Sequence, residues 1–362
     1  MANRWLAVGA LLFATFAPPA WANPAYYWQA INGHLELMRA ARPVAEWIAD
    51  PQTSEPLRER LELSQRIRRF AVGDLQLPDN ASYRRYADLH RPSAVWSVVA
   101  APPDALVAKT WCYPVIGCAS YRGYFSEAEA RAEAQALQAE GLEVIVQGVP
   151  AYSTLGWLNW AGGDPLLSTF INYPEGELAR LVFHELSHQL IYVRDDSSFN
   201  EAFATAVERL GGRRWLALHA SAAAREADAA LEARRDAFRR LVRQTRGELA
   251  AIFEKKSADP SMDRSYLAMK KEVMDGFRAR YAALRAGWGG DPAAYRRLDA
   301  WVSGANNASF VSQATYDELV PGFMRLFERE GGDTPQGWRR FYDAVNQLAG
   351  LSREERRRAL KE

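Results

Sequence analysis

The chain has 362 residues and carries 45 basic and 44 acidic side chains, so its formal net charge is +1. Apolar residues make up 48% of the chain and charged residues 25%, as in ordinary globular proteins. This balance of charge provides no broad positive field. The sequence therefore gives no reason to expect nucleic acid or an anionic membrane surface as a partner.

The beginning of the chain has the pattern of a secretory signal peptide, predicted at residues 1–22. Arg4 precedes an uncharged, mostly apolar run at 5–17, and Ala20 and Ala22 form a small-x-small cleavage pattern. The run is shorter than the ~20 apolar residues that a membrane-spanning helix needs; an uncleaved anchor or a buried helix is the alternative. No cysteine follows the run to accept a lipid. We therefore expect a soluble, exported, periplasmic protein without stable membrane insertion after cleavage.

The two cysteines, Cys112 and Cys118, are six positions apart, and Pro114 and Gly117 between them favour a tight turn. In an oxidising compartment such a pair predicts a disulfide bridge. Two free buried thiols are the alternative. A metal site is not expected here, because no histidine or further cysteine lies nearby in the sequence to complete four ligands.

The N-terminal part of the chain combines helical and extended patterns. Apolar residues recur at helical spacing over 24–72, with interruptions at Pro43 and Pro51. The segments 95–99 and 121–125 have the composition of strands. Helices followed by a small sheet are therefore expected.

The middle of the chain alternates short elements. A helix is predicted at 126–140 and a strand at 142–149. A further strand is predicted within 166–173, which could pair with the backbone of a bound peptide or belong to the sheet core. Helices are predicted at 174–192 and 198–210.

From residue 215 onward the pattern is almost wholly helical, and the segments 219–256 and 264–286 are expected to fold back on each other as a hairpin. The fold class predicted for the whole chain is α+β, predominantly α-helical. The expected parts after the signal peptide are a helical and mixed region at 23–140, a central core at 141–215 and a helical region at 216–362.

Residues 184–188 read His-Glu-Leu-Ser-His. On a helix, positions i and i+4 lie on one face, about 5 to 6 Å apart, so His184 and His188 can both bind one zinc ion at ~2.1 Å. Glu185 between them can then reach a water on that metal. Two unrelated structural histidines beside a surface glutamate are the alternative, so a third ligand is needed to favour a site.

Glu201 is the candidate third ligand. A polar run before it can reverse the chain and place it early on a neighbouring helix, and two histidines plus one glutamate leave the fourth position open for water. Ser198 and Glu201 also match a capping box, so the local pattern leaves both interpretations open. Asp195 and Asp196 are expected to be turn and cap residues.

The His-Glu-Leu-Ser-His motif followed by Asn-Glu-Ala at 200–202 resembles the gluzincin class of zinc peptidases. Longer stretches are similar to a predicted bacterial aminopeptidase family, and they span most of the mature chain. These stretches are residues 26–29, 33–37, 121–125, 151–157, 166–174, 192–205 and 306–308.

The resemblance implies a gluzincin-like zinc peptidase core, with a small mixed sheet, a helix that carries the motif and a second helix that carries the third ligand. It implies one zinc ion per chain, bound by His184, His188 and Glu201, and a catalytic role for Glu185. It also implies that the partner of the site is a peptide substrate.

Three residues near Glu201 are expected to support the ligands from behind, namely Asn200, Thr205 and Glu208. Many gluzincins have an aspartate four residues after the ligand glutamate, whereas this chain has Thr205 there. Glu208, one turn further along, could replace it as a hydrogen-bond acceptor for a ligand imidazole. A surface position for Glu208 is the alternative.

The expected chemistry is peptide hydrolysis. Zinc lowers the pKa of a bound water toward ~7, and Glu185 would take its proton and pass it to the leaving amine. Tyr316 is a candidate donor to the developing oxyanion, and packing against the core is its alternative. The predicted function is a zinc peptidase, with aminopeptidase action implied by the resemblance. The alternatives are an endopeptidase of the cell envelope and a non-catalytic exported protein that binds a partner through the long helical hairpin.

Overall fold

The computed structural model describes residues 24–113, 117–154, 159–259, 261, 265–317 and 319–361. Helices predominate in these ranges and the sheets are small, as expected for a predominantly helical α+β protein. Within the described residues, no helix combines the length and the apolar character needed to cross a membrane. The predicted signal peptide lies outside these ranges.

The elements follow one another along the described chain with short connections. The helices are α1 (Pro24–Ala40), α2 (Val44–Ala49), α3 (Glu55–Gly73), α4 (Glu127–Ala139), α5 (Glu175–His188), α6 (Ser197–His219), α7 (Ala222–Ala258), α8 (Ser265–Ala286), α9 (Arg296–Ser303), α10 (Asn307–Asp317), α11 (Val320–Arg329), α12 (Pro335–Ala349) and α13 (Arg353–Lys361). The strands are β1 (Arg42–Pro43), β2 (Arg85–Ala87), β3 (Val95–Ala101), β4 (Trp111–Tyr113), β5 (Gly117–Ala119), β6 (Arg122–Tyr124), β7 (Glu143–Val149) and β8 (Leu166–Leu167).

One three-stranded sheet lies directly before the helix that carries the histidine motif. Its order is β1-β2-β8, with β1 antiparallel and β8 parallel to β2. The strand predicted over 166–173 is limited to β8, because the amides of Phe170 and Ile171 bond back to the carbonyl of Leu167 and the chain turns. Leu166 and Leu167 are fully buried. The longer strand was therefore a wrong prediction, and this segment belongs to the core.

A second, antiparallel sheet has the order β6-β3-β7 and is covered on both faces. Trp96 and Val98 of β3 pack with α4, and the alternate residues Val99 and Ala101 pack with Ala308 of α10. Side chains of a strand alternate between the two faces, and both sets in β3 are buried, with Ser97 as its one polar residue. Burial on both faces explains its continuous run of apolar and small residues.

α5 and α6 lie against each other and carry the candidate site. α6 was predicted to end at residue 210, but it continues to His219. Its two glycines are packing residues rather than a helix stop. A Cβ on Gly211 would lie 2.5 Å from Leu75 Cδ1 and 2.9 Å from Phe183 Cδ2, and one on Gly212 would lie 2.7 Å from Arg180 Cγ. The glycines therefore permit α5 and α6 to approach closely.

The largest group of buried apolar residues draws on distant parts of the chain. It includes Leu37 of α1, Leu178 of α5, Phe199 of α6 and Phe341 of α12. A second group lies between α7 and α8, which form the predicted helical hairpin, and extends to α9 and α10. The three regions predicted for the mature chain thus share one core around α5 and α6.

Candidate metal centre

Three donor side chains converge between α5 and α6. The Nε2 atoms of His184 and His188 are 3.2 Å apart. Oε2 of Glu201 lies 3.4 Å from Nε2 of His184 and 3.7 Å from Nε2 of His188. All three side chains are nearly enclosed, with exposed fractions of 14%, 7% and 12%. The structure thus brings together the three residues that the sequence predicts as ligands.

The spacing of these atoms fits a tetrahedral zinc ion. Zinc binds histidine nitrogen and carboxylate oxygen at ~2.1 Å in tetrahedral geometry, which places neighbouring donor atoms about 3.4 Å apart. The three observed separations, 3.2, 3.4 and 3.7 Å, lie around that value. The donor set of two imidazoles and one carboxylate is also one that zinc takes in catalytic sites.

The start of α6 determines where Glu201 points. The N-cap of α6 is Asp196, whose side chain accepts a hydrogen bond from the Phe199 amide at 3.2 Å. Asp195 occupies the turn with a left-handed φ of 65°. The turn and cap roles expected for the two aspartates are confirmed. Ser198 already lies inside the helix, so the capping-box interpretation of Ser198 and Glu201 is wrong.

Glu208 contacts His184 from the side opposite Glu201. Its Oε2 atom lies 2.7 Å from Nδ1 of His184. Glu201 and Glu208 are seven residues apart on one helix, which places both on the same face. The structure therefore contradicts the alternative of an isolated surface position for Glu208. A proton on Nδ1, donated to this carboxylate, leaves Nε2 of His184 free to accept a metal.

Asn200 and Thr205 have different surroundings. The side-chain oxygen of Asn200 accepts from the Val193 amide at 2.8 Å, and its nitrogen donates to the Val193 carbonyl at 2.7 Å. Asn200 thus bonds to the segment that connects α5 and α6 and not to the ring of a ligand histidine. Thr205 is buried, and the carboxylate that contacts His184 in the described structure comes from Glu208. Of the three residues predicted to support the ligands, Glu208 contacts a ligand ring, whereas Asn200 bonds to Val193.

The electrostatics of the cluster favour a bound cation. Burial alone would lower the pKa of His184, but hydrogen bonds to Glu201 and Glu208 raise it well above its ordinary value. Burial would raise the pKa of Glu201, but the nearby His188 and His184 hold it far below its usual range. Burial raises the pKa of Glu185. Three carboxylates around two imidazoles leave an excess of negative charge that a divalent ion would offset.

Comparison with known families connects this geometry with an activity. The family model described as "Putative aminopeptidase" matches residues 25–360. The chain belongs to this family. The match runs from α1 to α13, so it includes every element that builds the donor cluster. No curated protein matches the chain, and no solved structure matches it.

Two tyrosines of this aminopeptidase-family chain are influenced by the charge of Glu201. Burial and the charge of Glu201 raise the pKa of both Tyr121 and Tyr192. Tyr316 belongs to α10, but its side chain lies outside the described residues. Tyr121 was not selected as a site residue from the sequence, although it opens one of the stretches that resemble the aminopeptidase family.

A disulfide hairpin adjoins the connection between α5 and α6. Cys112 of β4 and Cys118 of β5 are joined by a disulfide. The Cys118 amide donates to Oδ1 of Asp195 at 2.6 Å. Gly117 has a φ of 79°, and a Cβ there would lie 2.2 Å from the same oxygen, so only glycine fits. The hairpin therefore packs on the turn that leads to Glu201.

Proposed function

We propose that this protein is a zinc-dependent peptidase of gluzincin type, with aminopeptidase action. The observation that supports it most is the convergence of His184, His188 and Glu201 at separations suited to one zinc ion, with Glu185 beside them. Membership in the aminopeptidase family supports the substrate class.

Each residue of the cluster has a separate task in this proposal. His184, His188 and Glu201 would hold the ion, which when bound supplies a polarised water with a lowered pKa. Glu208 keeps the proton of His184 on Nδ1, so that Nε2 faces the ion. Glu185 accepts a proton from the attacking water and returns it to the leaving amine, a task suited to a carboxylate whose pKa burial raises.

We also propose that the protein acts outside the cytoplasm, in the periplasm. The signal-peptide pattern at 1–22 motivates this location. The disulfide between Cys112 and Cys118 supports it, because such bridges persist in oxidising compartments.

A library of peptides with free and blocked N-termini tests the activity. We expect the zinc-loaded protein to release single residues from the free peptides and to leave the blocked peptides intact. Cleavage of blocked peptides at internal bonds would show endopeptidase action instead.

Glu185→Gln provides the matched comparison, because it keeps the size of the side chain and removes the base. It should retain one zinc ion per chain and lose at least a hundredfold in turnover, the scale of general base catalysis. If the wild-type protein binds zinc but neither form cleaves any peptide, the non-catalytic partner-binding alternative is favoured. If the wild-type protein binds no zinc, the proposal fails.

A further inference from the structure

Tyr83 carries a buried hydroxyl group that has no hydrogen-bond partner within the described residues. The residue is only 1% exposed and belongs to the core around α5 and α6. Native proteins pair the great majority of their buried polar groups, because an unpaired one destabilises the fold. The Tyr83 hydroxyl therefore has a proton available for a hydrogen bond that the described residues do not accept.

The backbone of Tyr83 is held in an unusual conformation. Its φ is 64°, in the left-handed region, which aromatic residues rarely adopt. Such strain persists where surrounding contacts enforce it and is concentrated at functional sites. The Tyr83 amide donates to the Asp164 carbonyl at 2.7 Å, and the Gln65 side chain donates to the Tyr83 carbonyl at 3.0 Å. Two hydrogen bonds thus hold the residue in this conformation.

The same contacts connect Tyr83 to the helix of the metal centre. The carboxylate of buried Asp164 accepts from the Gln189 side chain at 3.1 Å. Gln189 is the C-cap of α5, four residues after Glu185. The backbone of Tyr83 is therefore connected, through Asp164 and Gln189, to the helix that carries Glu185.

Tyr83 and Glu185 are chemically complementary. Burial raises the pKa of Tyr83 well above its ordinary value, and the charge of Glu185 raises it further. The phenol therefore stays protonated and retains a proton to donate. Glu185 lies one turn before Gln189, on the same face of α5, and within the described residues no hydrogen bond reaches its carboxylate.

We propose that Tyr83 is a positioning residue for Glu185: its hydroxyl donates a hydrogen bond to the Glu185 carboxylate when a peptide occupies the site. The inference rests on the proposed peptidase function. The hydrogen bond orients the carboxylate toward the attacking water in the peptide-bound state.

Tyr83→Phe tests the inference, because it removes only the hydroxyl. We expect its zinc content to match the wild type and its Tm to be equal or higher, because an unpaired buried group is removed. We expect kcat to fall about 10- to 100-fold with little change in KM, as for a misplaced catalytic group. If Tyr83 had only a structural role, the variant would have a lower Tm and an unchanged kcat.

Tyr342→Phe is the matched control. Tyr342 is also buried, but its hydroxyl donates to the Leu75 carbonyl at 2.8 Å. Losing this bond should lower Tm by roughly 2 °C and leave kcat unchanged. Tyr342→Phe thus reports the loss of a stabilising hydrogen bond, and Tyr83→Phe reports the loss of the hydrogen bond that positions Glu185.

Two results would overturn the inference. One is a lowered Tm for Tyr83→Phe, which would show that its hydroxyl already has a partner in the free protein. The other is a wild-type kcat for Tyr83→Phe while Glu185→Gln is inactive. If Glu185→Gln itself keeps full turnover, the proposed peptidase mechanism fails instead, whatever Tyr83→Phe does.

Discussion

The two ring nitrogens of His184 face two different carboxylates. Nε2 lies 3.4 Å from Glu201, and Nδ1 lies 2.7 Å from Glu208. Only the neutral ring with its proton on Nδ1 can both donate to Glu208 and offer a lone pair at Nε2. The outer carboxylate therefore determines which nitrogen is available to a metal.

Glu208→Gln should weaken zinc binding without abolishing it. The amide keeps a hydrogen-bond acceptor but loses the negative charge that increases the basicity of His184. We expect the zinc affinity to fall 10- to 100-fold, the usual effect of changing an outer partner of a ligand histidine. Competition with a chromophoric chelator measures this change.

The control for this variant is Glu226→Gln, at an exposed position of α7. Glu226→Gln removes the same charge at a residue that does not contact the ligand histidines, so the zinc affinity should be unchanged. Equal affinities for the wild type and Glu208→Gln would show that the contact with His184 plays no part in metal binding.

Sequence spacing predicts part of this residue-level geometry. The i, i+4 rule places His184 beside His188, and the position of Glu208 one turn beyond Thr205 predicts it as an acceptor for a ligand imidazole. Tyr83 could not be found in this way. It lies about a hundred positions before the motif, and its relation to Glu185 depends on the tertiary contact with Asp164.

At the level of elements, a buried ion pair fixes the start of the helix that carries Glu201. Asp196 caps α6 and is only 2% exposed. Its Oδ2 atom accepts from Nε and Nη2 of Arg356 in α13, at 3.0 and 2.8 Å. The C-terminal helix thereby holds the beginning of α6 in place.

Arg356→Ala should be strongly destabilising, because it leaves the buried charge of Asp196 with only the more distant and exposed Arg353, whose Nε is 3.8 Å away. Breaking a buried ion pair on one side typically lowers the free energy of unfolding by about 3–5 kcal/mol. Arg358→Ala, at an exposed position of the same helix, should change it by less than about 0.5 kcal/mol. Urea unfolding followed by circular dichroism compares the two variants. Similar urea midpoints for the two variants would show that the ion pair between Asp196 and Arg356 contributes little to stability.

Helices with clear periodicity were predicted well, whereas the ends of elements were not. The hairpin of α7 and α8 follows from apolar spacing alone. The end of α6 was missed, because Gly211 and Gly212 resemble a stop signal and their contacts with Leu75, Phe183 and Arg180 are tertiary. The length of the strand that contains β8 was overestimated for a similar reason, since an apolar run alone does not distinguish a strand from a buried turn.

At the scale of the whole molecule, the candidate metal centre lies within the main core. α5 and α6 contribute both the donor atoms and large buried residues such as Phe183, Phe199 and Phe203. An ion bound by ligands from both helices binds the folded state alone. Metal binding should therefore be coupled to global stability.

Removal of the metal should lower the melting temperature of the whole protein. By linkage, free zinc at 100 times its Kd stabilises the folded state by about 2.7 kcal/mol. Differential scanning calorimetry with a chelator, and then with zinc restored, should show a reversible decrease in Tm. Glu201→Gln should show a smaller decrease because it binds the ion less tightly. A Tm that is insensitive to the chelator in zinc-loaded wild-type protein would contradict the coupling.

Composition and periodicity predict the class of the molecule, since the chain is predominantly helical with small sheets. They do not show how the regions share a core. Leu37 and Leu360, near the two ends of the described chain, belong to the same buried group as Leu186 of α5. Such contacts arise from the fold as a whole and leave no local pattern.

Anomalous diffraction at the zinc absorption edge, from crystals of the zinc-loaded protein, tests whether His184, His188 and Glu201 bind one zinc ion. We expect one strong peak per chain, ~2.1 Å from Nε2 of His184, Nε2 of His188 and a carboxylate oxygen of Glu201, with a water in the fourth position. A peak bound by other residues, a fourth ligand supplied by the protein, or the absence of a peak between α5 and α6 would contradict it.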